Sequence, residues 1–244
     1  MEEYVVKVRA VSAVAVGAAA VLSLSGCGSD LGPDLHPGRA AVVGEHEISL
    51  GDVDSGAEAY CSALEPSLAQ SGLALPMSSI RDELVSVMVD ENLSRQYAEA
   101  NDIDVHEDVR AQMAQLNQDL NNEQSGVAQE NRGTIRDFNR LVIYTSSVRA
   151  AAGAAAAQGQ QLPADQQLEQ GRQEIDAWAE AHDVEISVDP RFDQSGDDSN
   201  SLSVAVGEVT KRAVAARAEV SKPQPDAEKI KAYTESLPDS QKCG

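Results

Sequence analysis

Hydrophobic positions along this chain recur mostly at helical spacing, and strict alternation is confined to short stretches near the two ends of the body. Residues 40–48, AAVVGEHEI, read as strand with a turn around Gly44 and Glu45. Ser49 opens a helix with Asp52 three residues on as its capping partner, and Pro66 marks its expected end. Residues 67–78 read as loop. A long helix is predicted from Ser79, with Val85, Val89, Leu93 and Tyr97 at spacing four, stopping at Asn101 and Asp102. Val109, Met113, Leu116 and Leu120 form the stripe of the next helix. After the polar stretch 121–133, helix resumes near residue 134, with Phe138, Leu141, Val142, Thr145 and Val148 on one face. Pro163 begins another, whose inner face carries Leu168, Ile175, Trp178 and Ala179. Val184, Ile186 and Val188 then alternate with Glu185, Ser187 and Asp189, the period of a half-buried strand. Residues 202–220 fit neither period, and 221–244 form a tail with room for one short helix at 226–236.

The fold class expected from this order is mainly α, with short N- and C-terminal strands. An isolated strand leaves its backbone donors and acceptors without partners. Pairing 41–43 or 46–48 with 184–188 satisfies both strands and closes the helical body into one unit.

The N-terminal stretch changes the picture. Lys7 and Arg9 precede an apolar run over residues 11–22, and Leu24-Ser25-Gly26-Cys27 follows. A short basic region, a short apolar core and small residues describe a secretory signal peptide. The apolar run falls well short of the ~20 residues that span a bilayer. Leu24-Ser25-Gly26-Cys27 resembles the bacterial lipobox, whose cysteine is alkylated by diacylglycerol and becomes the new N-terminus. The expected organisation is a signal peptide over residues 1–26 and a lipidated flexible tether over 27–40. A helical domain follows over 41–192, then an acidic, Pro-containing tail over 193–244. Cys27 is the expected lipidation site, and the expected location is the extracytoplasmic face of the cell membrane. With Cys27 lipidated, Cys61 and Cys243 remain. Two thiols outside the cytoplasm are commonly joined, so a Cys61–Cys243 disulfide is expected to fasten the tail to the first helix.

Composition adds a constraint. Forty Asp and Glu against 19 Lys and Arg leave a formal charge of −21. Phosphate binding needs a basic patch, so nucleic acid is excluded as a partner. The same acidity also keeps an exported protein in solution, and high-GC bacterial proteomes such as the actinobacterial ones share this alanine-rich, acidic bias.

Three segments in order carry a family resemblance. AAVVGEHEISLGDVD is similar to the opening of the SurA N-terminal domain family, the chaperone portion of periplasmic SurA and PrsA-type foldases. Val89-Asp90-Glu91-Asn92-Leu93 and Ile103-Asp104-Val105 stand where that family has its next signature. WAEAHDVEISVDPRFD resembles its closing strand and Pro-Arg-aromatic turn. The likeness covers residues 40–193, with Val43 where Asn is frequent and Asp193 where Gly is common. It implies a SurA N-terminal-like helical chaperone domain closed by its paired strands. The parvulin isomerase domain of some family members has no counterpart here, so the resemblance implies no prolyl isomerase and no enzyme. The implied function is an ATP-independent, membrane-anchored chaperone for unfolded or secreted polypeptides. The alternative is a structural or assembly lipoprotein that binds one defined cell-envelope partner.

A client surface should be apolar and adaptable, which suits methionine. Met88 and Met113, with Val85, Leu116 and Leu120, form the candidate client-binding groove between the two central helices. The same positions read equally as core, the commoner role of such a stripe, and spacing alone does not separate the two. Trp178 and Phe138 read as core aromatics, and His182 as a helix-end residue without catalytic role. The Asp193–Asp198 run lacks the spacing of a calcium loop. No catalytic constellation, metal site, cofactor motif or small-molecule substrate site is recognised.

Overall fold

In the computed structural model, residues 38–122, 127–192 and 226–244 are described. The signal peptide, Cys27, His36, the Asp193–Asp198 run and residues 202–220 lie outside them. The chain enters through β1 (Arg39–Val43) and β2 (His46–Ser49), an antiparallel hairpin turning on Gly44 and Glu45. Gly44 has φ 59°, the left-handed region a two-residue hairpin turn demands. The carbonyl of Val43 accepts from Gln96 Nε2 at 3.0 Å, so the turn is held from the long helix below it.

Ser49 caps α1 (Leu50–Ser71) by accepting from the Asp52 N–H at 3.0 Å, as its sequence predicts. The helix runs through Pro66 rather than ending there. Proline has no N–H to offer the carbonyl four residues back, which is that of Ser62. That carbonyl instead accepts from Asn131 Nδ2 at 2.8 Å. A side chain distant in sequence thus removes the reason for a break, and α1 continues to Gly72, whose φ of 64° ends it in the left-handed cap.

A short strand β3 (Leu75–Pro76) leads into α2 (Met77–Ala100), whose N-cap is Pro76 rather than the expected Ser79. Asn101 and Asp102 end it, and α3 (His106–Asn121) follows. A 3-10 turn at Gln129–Asn131 precedes α4 (Arg132–Ala156), and Pro163 caps α5 (Ala164–Ala181). The strand β4 (Ile186–Val188) then pairs antiparallel with β1, giving the sheet order β2-β1-β4. This is the expected closure of the body, with β1 in the middle. Ile186 departs from the expected burial: at the sheet edge its side chain is 43% exposed. Beyond β4, Arg191 donates to both Asp189 carboxylate oxygens, at 3.0 and 2.9 Å. That hydrogen bonding holds the Asp189 carboxyl below its ordinary range and braces the turn that seats Phe192 in the core.

The described part of the tail is tied back to the body. It holds α6 (Ala227–Glu235), capped by Asp226, and β5 (Lys242–Cys243), which pairs with β3. Cys61 and Cys243 are bonded, with Cα atoms 5.5 Å apart, and Cys243 is fully buried beside Ala57, Met77, Ile80 and Leu84. The larger core joins Val43, Val53, Val85, Val148, Ile175 and Phe192, so strands, α1, α2, α4 and α5 share it.

The tightest helix contact is between α4 and α5. A Cβ on Gly153 would overlap the Gln167 carbonyl, and one on Gly171 the Arg149 carbonyl. Gln167 Nε2 also donates to the Ala150 carbonyl at 2.8 Å. Gly171→Ala therefore sets two effects against each other. The helix gains about 1 kcal/mol in propensity, but the methyl group meets backbone that cannot turn aside, and overpacking costs about 3 kcal/mol or more. Net destabilisation is expected in urea unfolding. For the disulfide, the 182-residue separation corresponds to about 5 kcal/mol in the chain-entropy picture. The Cys61→Ala/Cys243→Ala protein should unfold at lower urea than the oxidised wild type, and reducing the wild type should reproduce the shift.

Candidate functional site

Three helices each present one face to a common cleft of ≈470 Å³. From α2 come Glu83, Val87 and Asp90; from α4, Val142, Thr145, Ser146 and Arg149; from α5, Asp165, Leu168, Glu169 and Arg172. In every case the spacing is i, i+3 or i+4, i+7, so each set is a single helical stripe. The volume falls within the roughly 300–1,000 Å³ of typical ligand clefts.

The floor is apolar. Val142 and Leu168, read from spacing as inner-face residues, are 39% and 36% exposed and lie in this cleft instead. Leu168 stands beside Gln167, whose carbonyl lies against Gly153, so the close approach of α4 and α5 sets one border of the cleft. The walls carry charge. Arg149 reaches from α4 to Asp90 on α2 at 2.9 Å. Arg172 donates to Glu169 at 2.7 Å and to Asp176 at 2.9 Å along its own helix. Its hydrogen bonds hold the Glu169 carboxyl below the ordinary value. Thr145 is 6% exposed, and among the described residues neither its hydroxyl nor Arg149 Nε has a hydrogen-bond partner. A buried polar atom left in that state is costly, and in a native protein it calls for an explanation.

The expected groove between α2 and α3 is not brought together. Val85, Met113 and Leu120 are buried, at 2%, 8% and 5% exposure, and Met88 and Leu116 are half-buried. Val85 and Met88 belong to the core shared by the body, while α3 packs on α4. The stripe on α3 thus meets a different helix from the one its spacing suggested. Phe138 and Trp178 are half-buried aromatics, as expected: Phe138 stacks on Tyr60 at 4.6 Å and Trp178 meets Tyr97 edge-on at 5.6 Å. Glu91, in the family-like signature, is buried and ion-paired to Arg95, whose guanidinium lies 5.0 Å above the Tyr144 ring.

The described histidines stand apart from the cleft lining. His46 is exposed on β2, His106 Nδ1 lies 2.7 Å from Asp104, and His182 Nδ1 lies 2.8 Å from the Trp178 carbonyl at the end of α5. Among the described residues no group of three or more His, Cys, Asp and Glu side chains could hold a metal ion. Among them, too, no helix is long and apolar enough to cross a membrane. Compared with known protein families, with curated proteins and with solved structures, the chain gives no match.

The cleft is not legible in the sequence because its lining mixes charged and apolar residues, whereas helical spacing marks out only apolar stripes. The Glu169, Arg172, Asp176 spacing was legible as a helical charge ladder, but not that it bordered a cavity. The unsatisfied hydroxyl has a direct consequence. Thr145→Val, which replaces it by a methyl group, should stabilise the fold by about 1 kcal/mol, seen as a higher thermal midpoint. Thr145→Ser, which keeps the hydroxyl and loses the methyl, should lower it.

Proposed function

We propose that this chain is a membrane-anchored, extracytoplasmic lipoprotein that binds unfolded or exported polypeptides without ATP, through a SurA N-terminal-like helical module. The observation that carries the polypeptide-binding reading is the cleft between α2, α4 and α5. Its apolar floor stays open to solvent at Val142 and Leu168 while the surrounding core is buried. Exposed apolar surface inside a shaped cleft is what transient capture of non-native chain requires, since burial of apolar area drives association without fixed sequence.

The lipobox-like Leu24-Ser25-Gly26-Cys27 supports the anchoring. Buried acyl chains contribute about 0.8 kcal/mol per CH₂, so a diacylglyceryl group on Cys27 holds a folded domain at the membrane. The hairpin, helical body and closing strand, in the order of the resembled family, support the module. In this reading the protein is a binder rather than an enzyme, and no prolyl isomerase activity is expected of it.

The purified chain should suppress aggregation of a denatured substrate at a few-fold molar excess, followed by light scattering. Leu168→Glu, which places a charge on the cleft floor, should abolish the effect while leaving the helical circular dichroism unchanged. Prolyl-peptide isomerisation should stay at background. Absence of suppression at several-fold excess would sink the chaperone reading, and affinity capture of a single stoichiometric envelope partner would favour the alternative.

A further inference from the structure

We propose that the α2–α4–α5 cleft selects polypeptide segments whose apolar side chains are flanked by lysine or arginine. This rests on the polypeptide-binding reading of the same cleft and adds to it the chemistry of the preferred client. Four carboxylates and two guanidinium groups line the cleft. Asp90 is spent on Arg149 and Glu169 on Arg172. Among the described residues, Glu83 on one wall and Asp165 on the other are left without an ion pair.

In an empty, hydrated cleft those two carboxylates are screened and contribute little. An apolar side chain seated on Val142 and Leu168 displaces that water and lowers the local dielectric, so charges at the edge act more strongly. A flanking cation then gains from Glu83 and Asp165, and a flanking anion is repelled. The formal charge of −21 on the whole chain draws basic segments from a distance in the same sense.

The α4 side of the cleft supplies an indication, independent of charge, that the occupant is a peptide. Thr145, 94% buried by its 6% exposure, and Arg149 Nε one helical turn on both carry donors that find no acceptor among the described residues. Threonine in a helix divides between two χ1 rotamers, so its hydroxyl can turn to a group arriving in the cleft. A backbone carbonyl is an acceptor that every polypeptide brings and that a simple apolar cation lacks.

The test uses the full chain and fluorescence anisotropy with three labelled peptides of equal length and identical apolar centre, flanked by Lys, by Ser or by Glu. At low salt the Lys-flanked peptide should bind about ten-fold more tightly than the Glu-flanked one, the yield of two exposed charge pairs. High salt should narrow the gap. Glu83→Gln/Asp165→Asn should bring the affinities of the Lys-flanked and Glu-flanked peptides together, read as the ratio of the two. Thr145→Val should weaken all three alike. Equal binding of the Lys and Glu peptides overturns the charge selection and leaves the polypeptide reading standing. A lysine preference that survives the double substitution also overturns it, since selection then comes from the overall charge. Failure of all three peptides to bind removes the polypeptide reading itself, and the inference with it.

Discussion

At Gly153 and Gly171 the backbones of α4 and α5 lie too close for a Cβ on either helix, and the geometry of the cleft descends from that approach. Glycine inside a helix costs about 1 kcal/mol in propensity, so two of them facing each other are retained only where contact offsets the loss. Arg149 stands one turn before Gly153, while Leu168 and Arg172 flank Gly171. Pinning the two glycines together therefore brings these side chains to one edge and directs Arg149 toward Asp90 on α2. The cleft exists because α2 rests on α4 while α5 is bound tightly to it.

Charge in this region positions rather than stabilises. The Arg149–Asp90 and Arg172–Glu169 pairs are partly exposed, and pairs of that kind contribute at most about 1 kcal/mol. What they do is consume two of the four carboxylates, so that among the described residues Glu83 and Asp165 have no ion pair. In the proposed function the apolar floor supplies the attraction and the remaining carboxylates bias which clients are held. A protein that captures chain transiently needs this division, because apolar contact tolerates many sequences and edge charge discriminates among them.

The ends of the described chain are secured by long-range partners. β1 lies between β2 and β4, so the entering and leaving strands of the body share one sheet. The last residues return through β5 to β3 and through the Cys61–Cys243 bond to α1. Asn131 takes the Ser62 carbonyl that Pro66 leaves open, and α1 runs on past it to the half-buried Leu68, which packs on the cluster around Cys243.

By itself the sequence determined the helices and their approximate limits, the Ser49 cap, the hairpin turn at Gly44, the closure by the 184–188 strand and the cysteine pair. Each of these rests on a local period, a capping residue, or a short count of partners that leaves one economical solution. Only the tertiary structure decided that α1 passes through Pro66, that Val85, Met113 and Leu120 are buried, and that Val142 and Leu168 stand open. A stripe at helical spacing states that one face is apolar, and it holds no information on which neighbour covers that face or whether any does. The cleft belongs to that second class: its three stripes come from helices distant in sequence, and their meeting depends on a glycine contact that no local period reveals.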